Sequence, residues 1–230
     1  MILKKSIEAM NIRSRITGVV LTLVVLLSLS AVCSAQDKKK VSYALFLDNS
    51  GSMRTQFDEV LAFGKAVTRQ VHERGPVSIF DFTSQGRLQE ARAVAIQRLE
   101  ATQDERALEQ TIDNLFVLGG QTTLLDAVQA MAESFGPPTD EASAPERVIV
   151  LITDGEDRKS QIKAAALIEK LKASKTKVYA IGMVQQLSSA SKASDLLKNL
   201  TKETGGRVVF PKSGRDDLQH VLTELALPGQ

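Results

Sequence analysis

The sequence is poor in the residues that most often carry thiol or imidazole chemistry. Among its 230 residues there is one cysteine, Cys33, and there are two histidines, His72 and His220. One cysteine cannot form a disulfide within the chain, and Cys33 lies in a segment that we expect to be removed, so the mature protein has no catalytic thiol. The histidines stand apart in helix-like surroundings, which favours surface positions over a catalytic or metal-ligating role.

A strong charge of either sign is also absent. The chain has 29 basic and 27 acidic residues, a formal net charge of +2. Residues 1–35 hold four of the basic residues and one of the acidic residues, so the remainder has a net charge of −1. This near neutrality gives no electrostatic basis for binding nucleic acid. A composition with 43% hydrophobic and 24% charged residues is that of one globular domain.

The first 35 residues have the pattern of an export signal. Four basic residues lie within residues 1–15, and a largely apolar run follows from Ile16 to Leu29. Small residues then precede the expected cleavage point after Ala35. We therefore predict a signal peptide at residues 1–35 and an exported protein that is periplasmic, bound to the cell envelope or secreted.

Two other fates of this segment stay open. The apolar run could remain as a membrane anchor, the only membrane contact we expect, although it is shorter than the roughly 20 residues of a usual span. Alternatively, Cys33 could be lipidated, although Val32 before it is larger than a lipidation motif normally allows. After the leader, residues 36–40 are interpreted as a polar linker and residues 41–227 as the domain.

Apolar strands and amphipathic helices alternate through the rest of the chain. Short apolar runs between turn residues predict strands, and apolar residues spaced by three and four positions predict helices. The predicted strands cover residues 41–47, 77–82, 87–94, 147–153, 177–183 and 207–210. The predicted helices cover residues 57–71, 104–115, 122–135, 161–173, 193–204 and 218–225.

This alternation predicts an α/β fold. We expect a doubly wound, mainly parallel central sheet of about six strands, with helices on both faces, as in Rossmann-like folds. The strand at residues 87–94 follows the turn Ser84-Gln85-Gly86, which predicts a hairpin and hence one antiparallel strand at the sheet edge. If the strands that begin near residues 41 and 147 are neighbours, Asp48 and Asp154 lie side by side where the strand order reverses.

Oxygen-bearing side chains follow the first predicted strand directly. The apolar run ends at Leu47, and Asp48, Ser50 and Ser52 come next. Such a run is typical of a strand buried on both faces, and ligands of open α/β sheets bind where these strands end. One carboxylate and two hydroxyls suit Mg2+, which prefers oxygen ligands. The same residue types also form turns and cap helices, so this segment alone does not separate a metal site from a plain cap.

Two later segments add residues of the same kind. One is a glycine loop that opens a helix, GGQTTLLDA at residues 119–127, and the other is a buried strand that ends in ITDGED at residues 152–157. The three segments, in this order, resemble the von Willebrand factor A domain and its metal-ion-dependent adhesion site. Together with the export signal and TGGRVVF at residues 204–210, they resemble exported bacterial members of that family. The resemblance covers about residues 41–227.

The resemblance implies a set of ligands for a divalent cation. Asp48 begins the D-x-S-x-S element and Asp154 is the acid of the T-D-G element. The threonine of the family falls on Thr122 if Gln121 is a one-residue insertion, and Thr123 is the alternative. The implied ligands are therefore Asp48, Ser50, Ser52, Thr122 and Asp154, with at least one acid acting through a bound water. The expected ion is Mg2+, with Mn2+ or Ca2+ as alternatives.

Three further acidic residues lie near the implied ligands. Asp126 is in the first turns of its predicted helix, and Glu156 and Asp157 closely follow Asp154. Acidic side chains are favoured at helix starts by the helix dipole. We therefore interpret all three as helix-start residues and leave them out of the ligand set.

The resulting hypothesis is metal-dependent protein binding without catalysis. An ion held largely by neutral hydroxyls keeps much of its charge and one exchangeable position, which an Asp or Glu of a partner protein can fill. A phosphatase of the haloacid dehalogenase type is one alternative, but it needs a second carboxylate two residues after its nucleophile, where this chain has Ser50. The other alternative is a metal-free scaffold of the envelope in which these residues only cap helices.

Overall fold

Six strands form one sheet in the computed structural model, which describes residues 40–85, 92–118, 122–137, 144–184, 190–212 and 218–228. The strands are β1 (Val41–Leu47), β2 (Val77–Gln85), β3 (Arg92–Thr102), β4 (Glu146–Thr153), β5 (Thr176–Gly182) and β6 (Val208–Val209). Their order is β3-β2-β1-β4-β5-β6, and only the β2–β3 pair is antiparallel. The predicted mainly parallel sheet with one antiparallel edge strand is confirmed. The predicted signal peptide lies outside the described residues.

Helices cover both faces of this sheet, as the alternating sequence predicts. They are α1 (Phe57–Val71), α2 (Glu105–Asp113), α3 (Leu124–Ser134), α4 (Ala164–Ala173), α5 (Ala190–Thr204) and α6 (Leu218–Leu225). The apolar faces of α1, α2 and α6 pack on one side of the sheet, and those of α3, α4 and α5 pack on the other. None of the helices in the described ranges has the length and apolar character needed to span a membrane.

The central strand β1 is buried on both faces, which fixes the position of the residues that follow it. Tyr43, Leu45 and Leu47 face one hydrophobic cluster, and Ala44 and Phe46 face the other. All five side chains are at most 1% exposed. Because each fully buried large apolar side chain contributes about 1.5–3 kcal/mol, β1 is a stable support for the loop at its carboxyl end.

The position predicted for the antiparallel strand was wrong. β3 covers Arg92–Thr102 instead of residues 87–94, and residues 86–91 lie outside the described part of the chain. As the edge strand of the sheet, β3 exposes Gln97, Arg98 and Glu100, so its apolar run stops at Ile96 and does not mark the rest of the strand. The opposite edge strand, β6, has only two residues.

The predicted start of the fourth helix was also wrong by three residues. The helix α4 begins at Ala164 and not at Gln161. The backbone N–H groups of Gln161 and Ile162 donate hydrogen bonds to the Asp126 carboxylate. These bonds hold both residues in the preceding loop, and a contact with a residue 35 positions away cannot be read from helical spacing.

Candidate metal site

The carboxyl ends of β1 and β4 meet at one edge of the sheet. Leu47 pairs with Ile152, and the Asp48 N–H donates a hydrogen bond of 2.9 Å to the Ile152 carbonyl. The register therefore brings Asp48 beside Thr153 and Asp154, and both aspartates have no exposed surface. The expectation that Asp48 and Asp154 lie side by side is confirmed.

Two hydrogen bonds fix the Asp48 carboxylate. Its Oδ1 accepts from the Ser50 N–H at 3.0 Å, and its Oδ2 accepts from the Thr153 hydroxyl at 2.5 Å. The Thr153 hydroxyl accepts in turn from the Gly155 N–H at 3.1 Å, and Gly155 has a φ of +76°, which favours glycine. Thr153 therefore orients Asp48 from the neighbouring strand, a role that the sequence did not reveal.

Asp154 carries a buried oxygen without a hydrogen bond. Its Oδ1 accepts from the Glu156 N–H at 2.9 Å, whereas Oδ2 has no partner among the described residues. The Ser52 hydroxyl is close enough to lower the pKa of Asp154, but no hydrogen bond of good geometry reaches Oδ2. An unsatisfied buried carboxylate oxygen costs about 1–3 kcal/mol or more, so this atom is available to a ligand that is not part of the chain.

Burial disfavours the charged forms of both aspartates, and the negative charge of Asp154 adds to this effect at Asp48. Burial first, and then the negative charge of Asp154, raise the pKa of Asp48 to about 7, against the lowering effect of the hydrogen bonds from Thr153 and Ser50. Burial also raises the pKa of Asp154, against the lowering effect of Ser52 and the Glu156 N–H. The protein alone therefore compensates these two charges only in part.

Ser50 directly precedes the short 3-10 turn that follows Asp48, and Ser52 lies within that turn. This turn covers Gly51–Met53, and the side chain of Met53 is fully buried beneath it. The hydroxyl oxygens of Ser50 and Ser52 are 3.1 Å apart, and Ser50 is buried whereas Ser52 is exposed. The two hydroxyls thus lead from the buried carboxylates to the surface.

The threonine segment reaches the same edge of the sheet from α3. The Thr122 carbonyl accepts hydrogen bonds from the N–H groups of Arg158 at 3.0 Å and Lys159 at 3.2 Å, which belong to the loop after Asp154. Thr122 and Thr123 are both buried. The structure therefore brings the threonine segment to the aspartates, while the choice of Thr122 over Thr123 as a ligand stays a prediction. Residues 119–121 lie outside the described ranges.

The donor set fits a hard divalent cation. The two carboxylates lie side by side, the hydroxyl of Ser50 approaches Asp48 and that of Ser52 approaches Asp154, and oxygen ligands are those that Mg2+ prefers. The described residues contain no group of three or more His, Cys, Asp or Glu side chains that could hold a metal. A cation at this edge would therefore depend on serine and threonine hydroxyls as well as on the two acids, as the resemblance implies.

Asn49 joins the metal-site loop to two other segments. Its Nδ2 lies 3.1 Å from the Asp81 carboxylate and from the carbonyls of Phe82 and Phe116, and its Oδ1 accepts from the Phe82 N–H at 2.9 Å. Its carbonyl accepts from the Leu118 N–H at 2.6 Å. Asn49 thus connects the loop after β1 to the middle of β2 and to residues 116–118. Apart from the presence of an amide next to Asp48, nothing in the sequence predicted this role.

The loop after Asp154 and the start of α3 hold each other. Asp157 Oδ1 accepts from the Leu125 N–H at 3.3 Å and from the Ser160 hydroxyl at 2.5 Å, while Asp126 accepts from the Gln161 and Ile162 N–H groups. Asp126 is in the first turn of α3, as predicted. Glu156 and Asp157, in contrast, were interpreted wrongly as helix-start residues, since the helix that follows them, α4, begins only at Ala164. Asp157 instead caps α3 from the neighbouring loop.

The sequence and the fold both match one family of known proteins. The family model described as the von Willebrand factor type A domain matches residues 44–224. No curated protein matches the sequence significantly.

Several solved structures have a similar fold. An aerotolerance-related membrane protein of Bacteroides fragilis NCTC 9343 is 18% identical, with a TM-score of 0.60 over 80% of this chain and 98% of its own. BatB of Bacteroides thetaiotaomicron, also 18% identical, has a TM-score of 0.53 over 81% and 98%. The manganese-loaded TRAP protein of Plasmodium vivax, 14% identical, has a TM-score of 0.54 over 70% and 63%. At these identities the likeness shows the fold alone.

A first prediction concerns the pH dependence of stability without metal. The folded state binds more protons than the unfolded state between the ordinary aspartate pKa of about 4 and pH 7, because burial raises the pKa of Asp48 to about 7. The free energy of unfolding of the metal-free protein should therefore fall as pH rises through this window. Asp48→Asn removes the charge and should weaken the fall, measured as the thermal midpoint in chelator from pH 5 to 8.

The matched control for this prediction is Asp58→Asn, which changes an exposed acid in the first turn of α1. It should leave the pH dependence as in the parent. Mg2+ added at pH 8 should raise the midpoint of the parent more than that of Asp48→Asn. Equal slopes for the parent and Asp48→Asn would contradict the assignment of this pH dependence to the site.

A second prediction concerns Asn49. Asn49→Ala leaves the buried Asp81 carboxylate and three backbone groups without this partner, which should lower the free energy of unfolding by about 2–4 kcal/mol. Urea unfolding followed by circular dichroism measures the change. Asn114→Ala alters an exposed asparagine at the end of α2 and should change the free energy by less than about 0.5 kcal/mol. Similar effects of the two variants would contradict the connecting role of Asn49.

Proposed function

Because the chain belongs to the von Willebrand factor type A domain family, we propose that it is a protein-binding module whose contact with its partner depends on a divalent cation. Domains of this family generally bind protein partners, and they often bind a divalent metal. The proposed ligands are Asp48, Ser50, Ser52, Thr122 and Asp154. The proposed partner is a protein that offers an Asp or Glu carboxylate.

One observation carries the proposal. Two carboxylates are fully buried side by side, and one of their oxygens, Asp154 Oδ2, has no hydrogen bond among the described residues. Among the described residues, no basic side chain forms an ion pair with Asp48 or Asp154, and the charge of Arg158 only partly offsets the effect of burial on the pKa of Asp154. Burial of charged groups without such compensation is costly, and a bound cation provides the compensation.

The side chains at the site have different roles in the proposed cation binding. Thr153 and the Ser50 N–H hold the Asp48 carboxylate in one orientation, and the Glu156 N–H holds one oxygen of Asp154. The hydroxyls of Ser50 and Ser52 provide neutral oxygens, and Ser52 lies outermost. When bound, the cation supplies a concentrated positive charge that attracts a carboxylate of the partner.

We propose Mg2+ as the ion, with Mn2+ and Ca2+ as alternatives. Oxygen ligands suit all three ions, and the structural neighbour from Plasmodium vivax was manganese-loaded. We also propose binding without catalysis, because the position two residues after Asp48 is occupied by Ser50, whose hydroxyl is not a general acid near neutral pH.

We further propose that the protein acts outside the cytoplasm. The basic segment followed by an apolar run within residues 1–35 supports export. N-terminal sequencing of the protein from the source cell tests this proposal. A mature chain that starts at Gln36 is expected, and a cytoplasmic protein that retains residues 1–35 would contradict it.

A third prediction tests metal-dependent binding. Isothermal titration of residues 36–230 with Mg2+ should give a saturable binding isotherm, which Asp48→Ala and Asp154→Ala should abolish because each removes a proposed charged ligand. The matched control, Asp58→Ala, lies on the surface of α1 and should bind as the parent does. Circular dichroism should show all variants folded, since the site lies at the end of the sheet.

The same proteins test partner binding. When immobilised and exposed to an envelope extract of the source cell, the parent and Asp58→Ala should retain a partner in Mg2+ and release it in chelator. Asp48→Ala and Asp154→Ala should not retain it. A partner held equally in chelator, or by all variants, would contradict the proposed function and indicate another binding surface.

A further inference from the structure

An exposed aromatic side chain lies beside the candidate metal site. Phe116 is 61% exposed, although it directly follows the buried Leu115. Among the described residues, only one other large hydrophobic side chain is classed as exposed, Ile96 at 37%. Large aromatic side chains are enriched in protein interfaces. A single exposed hydrophobic residue is common on protein surfaces, so the functional argument depends on the position of Phe116 beside the proposed binding site.

Hydrogen bonds hold Phe116 next to the proposed ligands. The Asn49 Nδ2 group donates to the Phe116 carbonyl at 3.1 Å, and the Leu118 N–H donates to the Asn49 carbonyl at 2.6 Å. Asn49 stands between Asp48 and Ser50 in the sequence. Its side chain therefore links the metal-site loop directly to the backbone of Phe116. Because this segment is already ordered, contact with Phe116 costs little additional conformational entropy.

A small cavity lies directly against Phe116. It has a volume of about 270 Å3 and is lined by Asp81, Arg98, Thr111, Asn114, Leu115 and Phe116. Leu115 and Phe116 contribute an apolar wall, and the ion pair between Asp81 and Arg98 contributes a polar one. This volume is below the range of about 300–1,000 Å3 that is typical of sites for drug-sized molecules. It suits a single apolar side chain.

The polar wall of the cavity is hydrogen-bonded to the metal-site loop, and its arginine has N–H groups that can still donate hydrogen bonds. The Asp81 carboxylate accepts from Arg98 Nε at 2.6 Å and from Asn49 Nδ2 at 3.1 Å. The terminal nitrogens of Arg98 make no hydrogen bond with the part of the chain that the structure describes, and its side chain is 31% exposed. Arg98 can therefore donate to an acceptor on a bound molecule while Asp81 neutralises its charge.

We propose that this cavity is a second subsite for the protein partner, and that it binds an apolar side chain a few residues away from the acid that reaches the metal site. A backbone carbonyl of the same segment accepts from the terminal nitrogens of Arg98. Aromatic and arginine side chains together are the usual energetic centres of interfaces. The inference rests on the proposed function, since the acid at the metal site brings the apolar residue within reach.

Short peptides of defined sequence test the subsite. Each is acetylated and amidated and contains one aspartate and one leucine, separated by zero to three glycines, in both orders. A matched set carries serine instead of leucine. Because an extended chain advances about 3.3–3.6 Å per residue, the series scans the distance between the two subsites. Dissociation constants for residues 36–230 are measured by NMR titration in Mg2+ and in chelator.

In Mg2+, the leucine peptide should bind more tightly than the serine peptide at one spacing. The ratio of the dissociation constant of the serine peptide to that of the leucine peptide should be about five to ten there. Phe116→Ser should reduce this ratio to about one, whereas Phe116→Leu should retain most of it. Ile96→Ser is the matched control, because Ile96 is the other exposed large hydrophobic residue and does not line the cavity. It should leave the ratio unchanged. Phe116 is exposed, so both of its variants should fold.

The outcomes separate this inference from the proposed function. A ratio of one at every spacing, or a ratio that Phe116→Ser does not change, would overturn the subsite, and Mg2+-dependent binding of the same peptides would still support the metal site. A leucine preference that depends on Phe116 but persists in chelator would support the subsite and contradict metal dependence. If no peptide binds the parent in either condition, both proposals fail.

Discussion

The register between β1 and β4 brings two carboxylates together where neither has surface exposed to bulk solvent, and the surrounding structure depends on this placement. Asp48 and Asp154 are both fully buried. Two like charges in such a position are unfavourable, because burial and repulsion each disfavour ionisation. The fold tolerates them because β1 and β4 are apolar on both faces and anchor the two loops in hydrophobic clusters on either side of the sheet. Stability supplied by the core is thus used to maintain an arrangement that is unfavourable by itself.

The frame around the carboxylates consists mainly of hydrogen bonds between segments that are distant in sequence. Thr153 orients Asp48 across the strand pair, Asn49 connects its loop to β2 and to residues 116–118, and Asp157 caps α3. These partners are about 30 to 105 positions apart. The site is therefore held by groups that are not ligands themselves, as a precise binding site requires.

This separation explains which features could be predicted from the sequence. Strands buried on both faces, such as β1 and β4, are continuous apolar runs, so their bounds were predicted to within one residue. Their adjacency at the switch point followed from the alternation of strands and helices, and this placed Asp48 beside Asp154. The bounds of the edge strand β3 were predicted wrongly. Part of its surface faces solvent instead of apolar neighbours, so polar residues interrupt its apolar pattern. The roles of Asn49, Thr153 and Asp157 could not be predicted, since each depends on a contact that only the tertiary structure creates.

The edge strands of the sheet, β3 and β6, present unpaired backbone groups to which a strand of another chain could pair. An exposed strand edge is a template for uncontrolled pairing, and proteins protect such edges by making them short or charged. Here β6 has only two residues, and β3 exposes Gln97, Arg98 and Glu100. Sideways polymerisation through backbone pairing is thereby discouraged at both margins. The described margins of the sheet therefore offer little bare backbone to a second copy of the chain, so the fold itself works against self-association by strand pairing.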